Sequence, residues 1–200
     1  MNEIKSLYVK SSINQLIIGG VFFLCVWINV DNIFALLPDK FQEGKWVVFY
    51  IGFSQLINIS CGLNGAIIIN SKYYKYDLYT NVLLVIITLA TNYILIPIFG
   101  INGAAMATAI SVLLFNLIRL ILIKKKMNMH PFNLSTIKTI SLLLLVFFIV
   151  NIFPEINFAF FDIIFKSVLA IIIFFPLVLY FNLSDDISEM IKYLKTKYTI

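Results

Sequence analysis

The sequence predicts an all-α fold: a polytopic membrane helix bundle of about six transmembrane helices, ending in a C-terminal amphipathic helix. Two observations carry that prediction. Of the 200 residues, 61% are hydrophobic and 12% charged, and a mean hydropathy of +0.97 does not describe a surface that faces water. Charge-poor apolar runs also recur along the whole length with polar breaks between them, whereas one anchor on a soluble domain would gather them in one place. The formal net charge of +5 invites a nucleic-acid reading. The lysines, however, sit at the edges of apolar runs rather than along a polar face, so they read as topology signals and no nucleic-acid partner is expected.

A helix needs about 20 mostly apolar residues to cross a hydrocarbon core about 30 Å thick, and six segments qualify. They lie near 13–30, 46–70, 78–98, 104–123, 137–153 and 163–181. The first follows Lys5 and Lys10, as in a secretory leader, but no small-x-small cleavage site comes after it, so an uncleaved span is expected. Trp46 opens the second, and Tyr73, Tyr74, Tyr76 and Tyr79 separate it from the third; both features suit the headgroup level. Cys25 and Cys61 fall inside spans and read as small packing residues, not as a disulfide or metal pair. The third and fourth spans are separated by Pro97, Gly100 and Gly103, and the fourth runs into Arg119, Lys124, Lys125 and Lys126. After the sixth, Ile187, Met190, Ile191 and Leu194 recur at helical spacing behind Asp185 and Asp186, whose charge suits a helix N-terminus. That tail reads as an interfacial amphipathic helix that lies on the membrane or docks a partner.

The connections alternate in charge. Lys5 and Lys10, then Lys72 and Lys75, then Lys124, Lys125 and Lys126, then Lys192, Lys195 and Lys197 fall on one side; the other holds Lys40, Lys45 and little else until Lys166. By the positive-inside rule both termini are expected to be cytoplasmic in a multi-pass inner (cytoplasmic) membrane protein, with 31–45, the Gly100 turn and 154–162 outside.

Enzymatic constellations are missing from the sequence. His130 is the only histidine and sits beside the lysine run, with no cysteine or carboxylate cluster near it in sequence. No Ser-His-Asp set or phosphate-cradling glycine loop can be assembled, and Asp31, Asp39, Glu43, Glu155 and Asp162 are expected in short external connections. A non-enzymatic protein without cofactor or metal is expected.

The informative residues are polar ones inside spans, because an amide in hydrocarbon must find a hydrogen-bond partner or face a wet cavity. Gln55, Asn58, Gly62, Gly65 and Ala66 fall in one helical stripe of the second span. Asn81, Thr88 and Asn92 do so in the third, and Thr108, Ser111 and Arg119 in the fourth. These stripes either glue helices together or line a hydrated path for a polar substrate. Arg119 either snorkels to the cytoplasmic headgroups or turns inward, where a guanidinium would pair bidentately with a pyrophosphate. Gly62-Leu63-Asn64-Gly65-Ala66 is echoed by Gly100-Ile101-Asn102-Gly103-Ala104, a likeness that packing needs alone explain.

The best landmark is Pro97-Ile98-Phe99-Gly100-Ile101-Asn102-Gly103-Ala104-Ala105. Pro97 and Gly100 are expected to break the third span, Gly103 to restart the chain, and Ala104 and Ala105 to let two antiparallel helices pack closely. This hairpin, with the order of spans around it, resembles the C-terminal half of polysaccharide (O-antigen type) flippases of the multidrug, oligosaccharidyl-lipid and polysaccharide exporter superfamily. The resemblance covers about residues 1–129, which would form four spans of the C-terminal lobe; 130–183 would be the additional C-terminal transmembrane pair, and 184–200 the cytoplasmic amphipathic tail. It implies translocation of an undecaprenyl-pyrophosphate-linked oligosaccharide by alternating access between two lobes. Membrane lipid, that lipid-linked cargo and an N-terminal lobe on the same or another chain are the partners it implies, and Gln55, Asn58, Asn81, Asn92, Thr108 and Arg119 are the substrate-path candidates. A fragment of a longer transporter, a split subunit and a decayed reading frame all fit. The alternative is a non-transporting helical subunit of an envelope polysaccharide assembly complex.

Overall fold

The computed structural model describes residues 2–189, so Met190, Ile191, Leu194 and the lysines after them lie outside the described residues. The described chain runs α1 (Asn2–Ile28), α2 (Val30–Ala35), a 3-10 turn (Asp39–Gly44), α3 (Lys45–Ser60), α4 (Asn64–Ile69), α5 (Lys75–Met127), α6 (Leu134–Ile152) and α7 (Ala159–Tyr180), with no strand among the described residues. Four of these helices, α1, α5, α6 and α7, are long and apolar enough to cross a membrane.

At 53 residues α5 would be about 80 Å long as a straight rod, far more than a bilayer core of about 30 Å. It is instead two arms, 75–99 and 101–127, folded back on each other at Gly100. Gly100 has φ +56° and ψ −132°, a conformation that a side chain disfavours, and the hydroxyls of Thr91 and Ser111, twenty residues apart, end 3.1 Å from each other. The expected breaking role of Pro97 is corrected: Pro97 lies within the first helical arm, whose hydrogen bonding continues past it. Gly103 does not restart the chain either. It sits in the second arm, buried, where a Cβ would collide with the Leu95 carbonyl, so its role is close approach of the arms. Ala105 and Ala107 are buried in the same contact, and Ala104 accepts a hydrogen bond from Thr108.

The second span is also corrected. The helix through 46–70 stops at Ser60 and resumes at Asn64, with Gly62 between them at φ +62°. Gly62 and Gly100, the first residues of the two echoed segments, thus share a positive φ at a helix break, and the likeness reflects a common way of ending one helix and starting the next. The first helix begins eleven residues before the expected start. Its N-terminal turns are anchored by Tyr8, fully buried with Ile67, Ile68, Ile123 and Met129 of α4, α5 and the loop after it. Asn128, at φ +53°, ends α5, and an Asn133–Thr136 capping box starts α6.

The central element is α1, which packs against α3, α6 and α7. Gly19 and Gly20 face Ile59 of α3 and Leu143 of α6, so two neighbours approach its backbone on different sides. The main core joins α1, α6 and α7 through Ile17, Val146, Val150 and Phe174, all fully buried. Much of the outer surface is apolar, as at Leu89, Phe148 and Ile172, each more than 60% exposed. The start of the tail is tied to α1: Asn14 donates to Asp186 at 2.6 Å, Ser184 donates to Asn14 at 2.5 Å, and Ile187 packs on the main core.

Candidate functional site

Polar side chains in the hairpin and α3 form a seam through otherwise apolar helices. Nearest the Gly100 turn, the Thr91 hydroxyl meets the Ser111 hydroxyl at 3.1 Å, and Ser111 donates to the Ala107 carbonyl at 2.7 Å. A turn and a half further along the second arm, Asn116 is buried and its amide nitrogen donates to the Asn58 side-chain oxygen at 3.1 Å, joining α3 to the hairpin. At the far end Arg119 forms an ion pair with Asp77 across the two arms, and its Nε lies 3.3 Å from the Thr80 hydroxyl. The guanidinium stacks on the Phe115 ring, 4.1 Å from its centroid, and faces Gly65 of α4.

Of the sequence-derived candidates, Arg119 and Asn81 come together, the Asn81 oxygen lying 3.4 Å from the guanidinium while its amide donates to Asp77 at 2.9 Å. Asn58 pairs with Asn116. Gln55 is exposed on α3 and belongs to no part of this network. Asn92 and Thr108, both half-buried, donate to carbonyls of their own helices, Thr88 at 2.8 Å and Ala104 at 3.0 Å. The stripe through Gln55, Asn58, Gly62, Gly65 and Ala66 is not one helical face, because the break at 61–63 divides it. Of the two expected states of Arg119, snorkelling is not observed: the side chain turns inward, where its charge is matched by Asp77 inside the hairpin, with the two side chains 11% and 18% exposed.

Sequence reasoning missed Asp77, Thr80, Thr91 and Asn116. The hairpin supplies the signal that would have found Thr91: folding about the Gly100 turn sets residues whose numbers sum to about 200 side by side, which pairs 91 with 111 and 80 with 119.

A further correction concerns Asp162. Rather than lying in an external connection, it is fully buried in the first turn of α7, where it meets Lys166 at 2.6 Å, accepts from Asn32 of α2 at 2.6 Å and accepts from the Ile156 amide at 3.1 Å. Beside it, Asn29 donates to the Ser167 hydroxyl at 3.0 Å. This cluster fastens the end of α1 and all of α2 to α7. Cys25 and Cys61 are separate free thiols, and among the described residues no three His, Cys, Asp or Glu side chains gather as metal ligands would. Compared with known protein families, with curated proteins and with solved structures, the chain matches none.

Proposed function

We propose that the chain is part of a membrane transporter that flips lipid-linked oligosaccharide or polysaccharide precursors across the cytoplasmic membrane. The observation that carries this reading is the polar seam, since Asn58, Asn116, Asp77 and Arg119 gather amides and an ion pair within otherwise apolar helices, and ionisable groups inside such helices mark substrate pathways. The hairpin motif's resemblance to polysaccharide flippases supports it and supplies the cargo class. In this reading the chain crosses six times: α1, α3 completed by α4, the two arms of α5, α6 and α7, with both termini cytoplasmic and no enzymatic activity. A further lobe on the same or another chain closes the path opposite the seam, and Arg119 exchanges Asp77 for the cargo's pyrophosphate as the arms part.

The second reading, a non-transporting subunit of an envelope polysaccharide assembly complex, is favoured by one feature: Thr91 with Ser111, Asn58 with Asn116 and Arg119 with Asp77 satisfy one another, as helix glue does. Asn58→Ala and Asn116→Ala, introduced together at the native locus, separate the two. The transport reading expects normal abundance in membranes, loss of surface polysaccharide and accumulation of lipid-linked oligosaccharide in the inner leaflet. Loss of abundance in proportion to the loss of polysaccharide would favour the structural subunit.

A further inference from the structure

Three helices leave a seam unfilled. α3 and α6 lie on either side of α1 and hardly touch each other. The slot between them holds two adjoining cavities of about 610 and 520 Å³ that share Leu16, Ile57, Ser60 and Ile140. Their wall on α6 is a single helical stripe from Asn133 through Thr136 and Ile140 to Phe147, roughly 20 Å along the axis and more than one leaflet of a core about 30 Å thick.

Polarity changes along the slot in one direction. Its deep half is apolar and aromatic, walled by Phe23 and Trp27 of α1 and Phe49 and Phe53 of α3. Its shallow half carries Asn116, Asn133 and Thr136. A third cavity, sharing Leu117, Leu120 and Phe132 with the shallow half, continues it to Lys124 and His130 at the basic end of α5. Lys125 and Lys126 follow directly. Ile140 and Leu144 line the slot yet are about half exposed, so it opens sideways rather than into the protein core.

We propose that this slot binds one phosphate-bearing membrane lipid, its hydrocarbon chain lying between α1, α3 and α6 and its phosphate at Lys124. A hydrocarbon chain matches the apolar deep half, and a headgroup anion matches the cation at the mouth. The slot is separate from the Arg119 and Asp77 end of the seam, so the lipid is a resident component that fills a gap between helices. The inference rests on the bilayer placement proposed above and not on the transport reading.

The chain has two tryptophans, and only Trp27 lines the slot, so Trp46→Phe leaves a single reporter in place. Retention of this variant in membranes through alkaline carbonate extraction checks the bilayer placement by itself. The purified protein in detergent micelles is then titrated with phosphatidylglycerol or phosphatidylcholine carrying brominated chains, which quench a tryptophan on contact. The expected result is saturable quenching at a single lipid per chain, tighter for phosphatidylglycerol, with Lys124→Gln weakening that lipid about fivefold and the zwitterionic one, whose choline offsets its phosphate, by less. Ile140→Phe, which fills the slot where the two cavities meet, is expected to weaken both lipids; if it fails to fold, Lys124→Gln at the surface still carries the test. Quenching that rises linearly with lipid content, indifferent to both substitutions, overturns the proposal. So does a slot closed by a second chain, seen as Ile140→Cys joining two chains on oxidation while added lipid leaves Trp27 unquenched.

Discussion

The two ion pairs differ in setting and so in what breaking them should do. Lys166 and Asp162 are 5% and 0% exposed at the side chain, and Asp162 is further held by Asn32 and the Ile156 amide. Lys166→Met strands a buried carboxylate and should destabilise the detergent-solubilised protein by about 3–5 kcal/mol, read as a lowered unfolding midpoint. Lys166→Met combined with Asp162→Asn should recover only part of that loss, because the amide restores one hydrogen bond to Ile156 but sets an N–H against the Asn32 donor. Arg119 and Asp77 are less sheltered, so Arg119→Gln should cost about 3 kcal/mol, the lower end for a buried pair, and an unchanged midpoint would mean that water screens it. Neither pair was legible in the sequence. Arg119 stands next to a lysine run that offers a sufficient explanation of its own, and Asp77 is 42 residues away; only the fold about Gly100 makes them neighbours.

At the scale of the element, the hairpin is where sequence and structure agree best, because glycine and alanine leave few alternatives to close packing. The agreement is in its existence, not in the parts assigned to each residue. Gly100 turns the chain and Gly103 lets the arms touch, and the two should fail differently. A Cβ at Gly100 meets nothing within 4 Å, so Gly100→Ala carries a purely backbone penalty of about 1–3 kcal/mol and leaves the arms in register. Gly103→Val instead drives side-chain atoms into the Leu95 carbonyl and must splay the arms. A disulfide between Thr91→Cys and Ser111→Cys reads the difference: it should form on oxidation in the background sequence and with Gly100→Ala, and fail with Gly103→Val. The interrupted second span was illegible for the opposite reason. Gly62 sits in a run apolar enough to pass as one helix, and composition does not report a positive φ.

Across the whole molecule, the apolar excess made the helical class and the long apolar helices plain, and left hidden everything that depends on which helices meet. The close approach of α3 and α6 to α1 follows from small residues at 19 and 20 that have many equally good explanations in sequence. The proposed six crossings predict a specific pattern of sidedness. A phosphatase reporter inserted after Asp39 should be active outside the cytoplasmic membrane, one inserted after Ser71 inactive, and an odd number of crossings would reverse the relation between the N-terminus and the C-terminus.

Transport through this bundle requires that the seam between α3 and the hairpin open to water. The direct measurement places single cysteines at Asn58 and Asn116, the pair that joins α3 to the hairpin, in a background with Cys25 and Cys61 replaced, and follows their reaction with a membrane-impermeant thiol reagent in native membranes. A transporter path predicts that both react, and that added lipid-linked oligosaccharide slows the reaction. Complete protection of both positions, in protein that is folded and present at normal abundance, would contradict a hydrated path and leave the hydrogen bonds of the seam as contacts between helices alone.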